Sequence, residues 1–245
     1  MKGLLVPVLL VLAAEAGAQV FGIRSDNLAA PSAIIVALWQ ALLDGSLIRA
    51  TGQTLWMALA GLAVGGGIGL VLSVLLGLIP PLARLMSFSI EAFRPIPSIA
   101  LLPIALLVFG FGFRMEIAIV AFACFWPVVI IGQAAIASIE PMLIEVSRVL
   151  GLGFFGRVTK IVLPAALPRL FVAFRLAAGI ALIVAVTAEI VANPFGLGHD
   201  LMLAQQSLAP ALMFANLIWI GIVGWALNAL LLLAQRRLFG RAGLV

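Results

Sequence analysis

Residues Leu55 to Ile79 read LWMALAGLAVGGGIGLVLSVLLGLI, twenty-five positions without one charged side chain. A backbone in hydrocarbon must satisfy its own hydrogen bonds, and roughly 20 apolar residues in a helix span the bilayer core. This run is therefore a transmembrane helix. Gly61, Gly65 and Gly69 recur every fourth residue along it, with Gly66 and Gly67 between them. Such small residues let helix backbones approach where no hydrophobic force acts between helices. The expectation is tight packing within one subunit; a contact between two subunits is the alternative.

On either side of this segment the chain has the same character. Of its 245 residues 65% are hydrophobic and 9% charged, with a mean hydropathy of +1.31, against roughly 25% charged in a soluble domain. Six segments read as spans or nearly so: about Leu4 to Val20, Leu55 to Ile79, Ile96 to Phe113 broken by Pro97 and Pro103, Glu116 to Ala137, Leu170 to Ala192, and Ala211 to Ala234. The chain is an all-α membrane protein of about six transmembrane helices. Its single cysteine, Cys124, sits in an apolar run and excludes an intrachain disulfide or a cysteine metal cluster. The net charge of +5 is scattered among apolar segments, so it does not mark a nucleic-acid surface.

The basic residues report topology instead. Lys2, then Arg84 and Arg94, then Arg148, Arg157, Lys160 and Arg169, then Arg236, Arg237 and Arg241 fall on alternate loops, which the positive-inside rule places in the cytoplasm with both termini. Arg24, Arg49 and Arg114 lie on the opposite side, and Asn193 to Pro210 has no Lys or Arg. The first segment has two readings. Lys2, an apolar run and Ala16-Gly17-Ala18 imitate a cleaved leader, whereas a retained helix is favoured. Pro31 to Leu43 is short and amphipathic, and is expected along the outer interface.

Glu15 and Glu189 stand in apolar surroundings, where an ionisable group costs on the order of 3 kcal/mol to insert. Glu189 is a candidate for the translocation path, with Pro97 and Pro103; Glu15 is a weaker one. His199 beside Asp200 has no nearby nucleophile or second ligand, so it is read as part of a solvated loop.

The stretch Ser138 to Arg169 is the most organised of the inward loops. Pro141 suits the first turn of a helix, Met142 to Leu150 reads as that helix, and Gly151 suits a left-handed cap. A second short helix is expected before Pro164. Together they make a knuckle whose Leu150, Leu152, Phe154 and Phe155, beside Arg157 and Lys160, suit a groove on another protein.

Glu145-Val146-Ser147-Arg148-Val149-Leu150-Gly151, then nine residues, then Ile161-Val162-Leu163-Pro164 resembles the EAA loop of ABC importer permeases. That motif is Glu-Ala-Ala, three residues, Gly, nine residues, Ile-x-Leu-Pro; Val146 and Ser147 replace its two alanines. Arg94-Pro95-Ile96-Pro97 with Leu101-Leu102-Pro103, and Pro164-Ala165-Ala166-Leu167-Pro168 leading to Phe174-Arg175-Leu176-Ala177, resemble the nitrate/sulfonate/taurine branch over about residues 30 to 235.

The resemblance implies a type I ABC importer permease fold in a bacterial cytoplasmic membrane. Residues 1–30 would be the first helix and outer loop, and 31–245 the permease domain with its coupling loop at 138–169. It implies a second permease copy, two cytoplasmic ATPase subunits that bind ATP and Mg, and a periplasmic or lipid-anchored binding protein. Glu145, Val146, Ser147, Arg148, Gly151, Phe154, Phe155, Arg157, Ile161, Leu163 and Pro164 would meet the ATPase, and a sulfonate or taurine would be the cargo. The chain has no Gly-x-x-x-x-Gly-Lys-Ser/Thr phosphate loop, so hydrolysis would belong to a partner. Neither a metal nor another cofactor is expected in this chain. An ion-coupled secondary transporter would need two related halves with midplane charges, and no internal repeat is visible. An intramembrane enzyme would need a catalytic arrangement that one histidine does not supply.

Overall fold

A small residue at every fourth position decides how the bundle packs. The computed structural model describes residues 5–20 and 28–240; Lys2, Arg24, Asp26 and Arg241 lie outside them. Helix α3 (Ser46–Leu78) runs beside α6 (Phe113–Ala137), and Gly61, Gly65, Gly69, Ser73 and Gly77 line the contact. A methyl group on Gly65 would stand 2.0 Å from the Ala121 carbonyl oxygen, and one on Gly69 2.9 Å from that of Phe125. Gly61 meets Val120, Gly77 meets Ile136, and Ser73 fits the space left by Gly132 on α6. The packing is within one subunit, as expected. Gly66 points elsewhere, against the Phe174 ring of α9 (Leu163–Val191), and Gly67 faces open space.

Around this pair the other helices follow in chain order. The first two are α1 (Leu5–Val20) and α2 (Pro31–Leu43). Glu15, expected as a charge within a span, accepts hydrogen bonds from the Ser32 N–H and hydroxyl, each at 2.9 Å, and so caps the first turn of α2. Helix α2 has the expected bounds and packs Leu38, Ala41 and Leu42 on an outer cluster with Leu47, Val186, Leu197 and Val223.

Among the described residues, four helical stretches are long and apolar enough to cross the membrane, Ser46–Leu78, Phe113–Ala137, Phe154–Val191 and Pro210–Phe239, or five with the bent pair described below, against the six expected. Each is longer than its sequence-based bounds, because polar turns at the membrane surface continue the helix. Arg49 and Arg114, assigned to outer loops, sit in the first turns of α3 and α6.

The third expected span departs most. Arg84 lies not in a loop but on α4 (Pro80–Phe93), after which the chain breaks at Arg94–Pro97, makes a 3₁₀ turn at Ser98–Leu101 and resumes as α5 (Leu102–Phe109). The two halves meet at 81°. Pro103 does not break this segment, as the sequence suggested; it occupies the first turn of α5, where its missing N–H costs nothing. Pro97 is at the bend itself.

The outer stretch Asn193 to Pro210, expected to be loop, contains α10 (Leu197–Gln206), which folds back on the bundle before α11 (Pro210–Phe239). Half-buried His199 and Asp200 are therefore on a helix rather than in a solvated loop. Burial holds the Asp200 carboxyl above its ordinary range, while His199 and Arg49 pull it down. Midway along α9, the Arg175 guanidinium donates to Gln235 Oε1 at 2.8 Å and so ties α9 to the last turns of α11.

Gly65→Ala must move a backbone rather than a side chain, and is expected to lower stability by about 2 kcal/mol or more. Gly67→Ala, with nothing within 4 Å, should change it by less than about 1 kcal/mol, in the stabilising direction. Thermal unfolding of the purified protein in detergent compares the two. Equal melting would mean that α3 and α6 do not approach so closely.

Candidate functional site

Two regions stand out from the apolar bundle, one at each end of α9. The one on the side that the basic residues assign to the cytoplasm, termed inner, is the knuckle. Helix α7 (Pro141–Val149) starts with Pro141 in its first turn, as the sequence suggested. It ends at Gly151 with φ +63°, where the Leu152 N–H donates to the Ser147 carbonyl and the Gly151 N–H to the Arg148 carbonyl, both at 3.0 Å. This pair of bonds closes the helix end and needs a left-handed residue, the conformation glycine adopts without strain.

The expected second helix is there but is not separate. Helix α8 (Phe154–Arg157) passes through one π turn, Val158–Val162, directly into α9. Phe154–Val191 is thus one continuous helix of 38 residues, and Pro164 lies within its course rather than after a short helix.

The two departures from the EAA motif have different meanings here. Ser147 is fully buried, and its hydroxyl donates back to the Ile144 carbonyl at 2.5 Å, so only a small side chain fits. Val146 is exposed, and nothing there demands alanine. Glu145 and Arg148 border a cleft of about 280 Å³ between α7 and the inner ends of α3 and α6. Ile161 and Leu163 are half-buried where the π turn joins the bundle, whereas Pro164 is exposed. Val149 is 88% exposed and Phe155 82%, with Leu150 and Phe154 also open. Leu152, expected outside, is half-buried beside Gly156. A rigid turn thus carries several large apolar side chains clear of the bundle, beside half-buried Arg157 and exposed Lys160.

The outer region is a buried polar cluster that was only partly visible in the sequence. Glu189 is 1% exposed, and its Oε2 accepts the Gly198 N–H at 2.8 Å. Gly196, with φ +97°, leaves room for that carboxylate; a methyl there would stand 2.0 Å from Oε1. Glu116, in the first turn of α6, is fully buried. Asn193 donates through Nδ2 to Glu116 Oε2. On α3, Thr54 Oγ1 accepts the Leu197 N–H at 2.9 Å and Gln53 Oε1 the Gly196 N–H at 3.2 Å.

The cluster therefore staples the turn before α10 to α3, α6 and α9. Glu189, expected on the translocation path, spends one oxygen on this staple and borders an outer cavity of about 450 Å³ with Phe111, Asn193, His199 and Met202. Glu116 was missed because it opens the fourth span, where a charge looks like a helix end at the surface. Its signal was its place in the first turn of an apolar helix, with Asn193 four residues after Glu189.

Between these regions lies a groove of about 360 Å³ where the 94–98 bend faces α6 and α9. Pro97 is exposed at its edge, and Pro103 is exposed one turn further on.

A family described as the binding-protein-dependent transport system inner membrane component matches residues 65–243. The chain is 29% identical to a protein named as an aliphatic sulfonates transport permease, SsuC, of Bacillus subtilis (strain 168), over 97% of this chain and 86% of that one. It is 28% identical to the taurine transport system permease protein TauC of Escherichia coli (strain K12), over 81% of this chain and 72% of that one. Among solved structures, an inward-facing conformation of the MetNI methionine ABC transporter superposes with a TM-score of 0.63 at 24% identity. It covers 76% of this chain and 95% of that one, a likeness of fold.

Asn193→Leu would leave Glu116 buried without its donor and is expected to cost about 1–3 kcal/mol of stability. Glu116→Gln keeps an acceptor for Asn193 and removes a buried ionisable group, so it should cost less. Melting temperatures of the two variants in detergent test this order, and its reversal would remove the staple role from the pair.

Proposed function

Since the chain belongs to the binding-protein-dependent transport system inner membrane components, we propose that it forms half of an import path for a small organic anion, driven through the knuckle at Glu145 to Pro164. The chain is the membrane-spanning permease subunit of an ABC importer. Members of this family work with an ATP-hydrolysing subunit and a substrate-binding protein. In our reading two copies of this chain face each other, each joined to one ATPase subunit that holds ATP and Mg, and the binding protein docks on the outer surface. Both termini are cytoplasmic by the distribution of Lys and Arg. A sulfonate or taurine is the favoured cargo, by analogy with the relatives named above.

The observation that carries the coupling role is the capped turn at Gly151, which holds apolar Val149, Leu150 and Phe155 outside the bundle. Exposed apolar groups on a rigid support are what an interface uses. Ser147 and the Gly151 cap fix the turn, Phe154 and Phe155 enter a cleft on the ATPase, and Arg157 with Lys160 frame them. Glu145 and Arg148, beside the inner ends of α3 and α6, pass the displacement to those helices. Ile161, Leu163 and Pro164 start the span that carries it outward. Closure of the ATPase pair then changes the packing of the two permease copies as rigid bodies. An ion-coupled secondary transporter has less support: nothing in it would require the knuckle.

Gly151→Val places a β-branched residue in a left-handed turn, a strain of about 1–2 kcal/mol, and is expected to lower binding-protein-stimulated ATP hydrolysis by about fivefold or more. The variant should still insert and melt near the wild type. Affinity purification of the tagged protein from its native membranes should bring a P-loop ATPase, lost on deleting residues 145–164. Full stimulation in Gly151→Val would remove the coupling role. A protein that transports alone under an ion gradient would remove the importer reading.

A further inference from the structure

The groove at the 94–98 bend lies midway along the spans α6 and α9 rather than at their ends. Trp126 on its wall is about 20 Å along α6 from Phe113 and about 17 Å from Ala137, by helical rise. Leu176 and Ile180, its contribution from α9, flank the midpoint of that helix. Arg94, which the sequence placed in a cytoplasmic loop, instead lines this groove against α6 and α9, with its side chain exposed. An arginine beside the middle of two spans is expensive unless it meets a partner. Among the described residues its side chain has none, and no carboxylate lines the groove.

The other polar groups there are donors as well. The Trp126 indole N–H is buried and has no hydrogen-bond partner among the described residues, and Ser98 lines the same groove. An unsatisfied buried donor, a guanidinium without a partner among the described residues and a hydroxyl line one space whose remaining walls are apolar and include Phe122, Ile130 and Ile180. The volume, about 360 Å³, is that of a small-molecule site. A guanidinium fork matches an oxyanion with several oxygens, while the apolar walls have nothing to offer a bare inorganic anion.

We propose that Arg94, Ser98 and Trp126 form the substrate site of the path, binding the head group of an aliphatic sulfonate whose carbon chain lies on Phe122, Ile130 and Ile180. This rests on the permease reading above and narrows its cargo: a sulfonate with a short alkyl chain is taken and nitrate is not. Arg94 supplies charge and two parallel N–H bonds, Trp126 a third donor from α6, and the apolar side measures the chain.

The test is photolabelling of the purified permease–ATPase complex with a diazirine-bearing hexanesulfonate, followed by peptide mapping. Label is expected on residues 94–98 and 122–131, blocked by excess hexanesulfonate and not by nitrate or hexylamine. Arg94→Gln and Trp126→Phe, which keeps the ring and removes the N–H, should each reduce labelling by about tenfold or more. Both should still bring down the ATPase as the wild type does. Label on other helices, equal labelling in both variants, or protection by nitrate as good as by hexanesulfonate would overturn the site. If even the wild type brings down no ATPase, it is the permease reading that fails, a result separate from the labelling map.

Discussion

The close approach of α3 and α6 is the constraint on which the rest of the bundle depends. Lipid tails are as apolar as leucine, so burying apolar surface between two spans gains little, and dispersion between close backbones has to supply the attraction. The row Gly61, Gly65, Gly69, Ser73 and Gly77 allows it over about five helical turns. With that pair set, α9 has a fixed floor: Ala173, Ala177, Ala181, Ala185 and Ala188 are buried along it, again small residues for near contact. Helix α11 adds little to this core and lies on its outside.

Polar groups then decide what packing alone leaves open. Small residues tolerate sliding along a helix face, since one glycine ridge resembles the next. Hydrogen bonds do not. The Glu116–Asn193 pair, the Gly198–Glu189 bond and the contacts of Gln53 and Thr54 with the turn before α10 set one register between α3, α6 and α9 at the outer end. Arg175 with Gln235 does the same between the middle of α9 and the last turns of α11. A carboxylate is costly in this setting. The retention of Glu116 and Glu189 fits a need for specificity more than for stability.

Much of this was legible in the chain itself. The apolar runs and the basic loops yield the spans, and the glycine spacing the helix contact, because hydrophobicity and residue size act locally. Pro141 and Gly151 mark their turn for the same reason: the demands of a helix start and a left-handed cap are made on single residues. What was hidden depends on tertiary placement. Nothing local says that Arg94 lines a groove against α6 and α9, that the 81° bend falls before Pro103 rather than at it, or that Leu197–Gln206 folds back as a helix. Its polar His199-Asp200 and Gln205-Gln206 pairs read as loop until α3, α9 and α11 are there to cover the apolar side.

The knuckle and the outer staple are the two ends of one element. From Phe154 to Glu189 the chain is helical without interruption, about 50 Å by helical rise. A displacement at Phe155 cannot be absorbed by a loop, because there is none. It can be absorbed near the start of this helix: at the π turn Val158–Val162, where the hydrogen-bond pattern already departs from the α ladder, and at Pro164 and Pro168, which lack the N–H that would bind the preceding turn. All lie near the inner surface, below the alanine-lined stretch packed on α6. Motion imposed at the knuckle therefore either bends the helix there and stops, or tilts everything above Pro168 as one rod against the α3–α6 pair. The second outcome shifts Leu176 and Ile180 at the groove and strains the Glu189 contacts at the top together. A stiff rod with compliance only at its driven end delivers one movement to the groove and to the far end of the helix at once, which an alternating path requires.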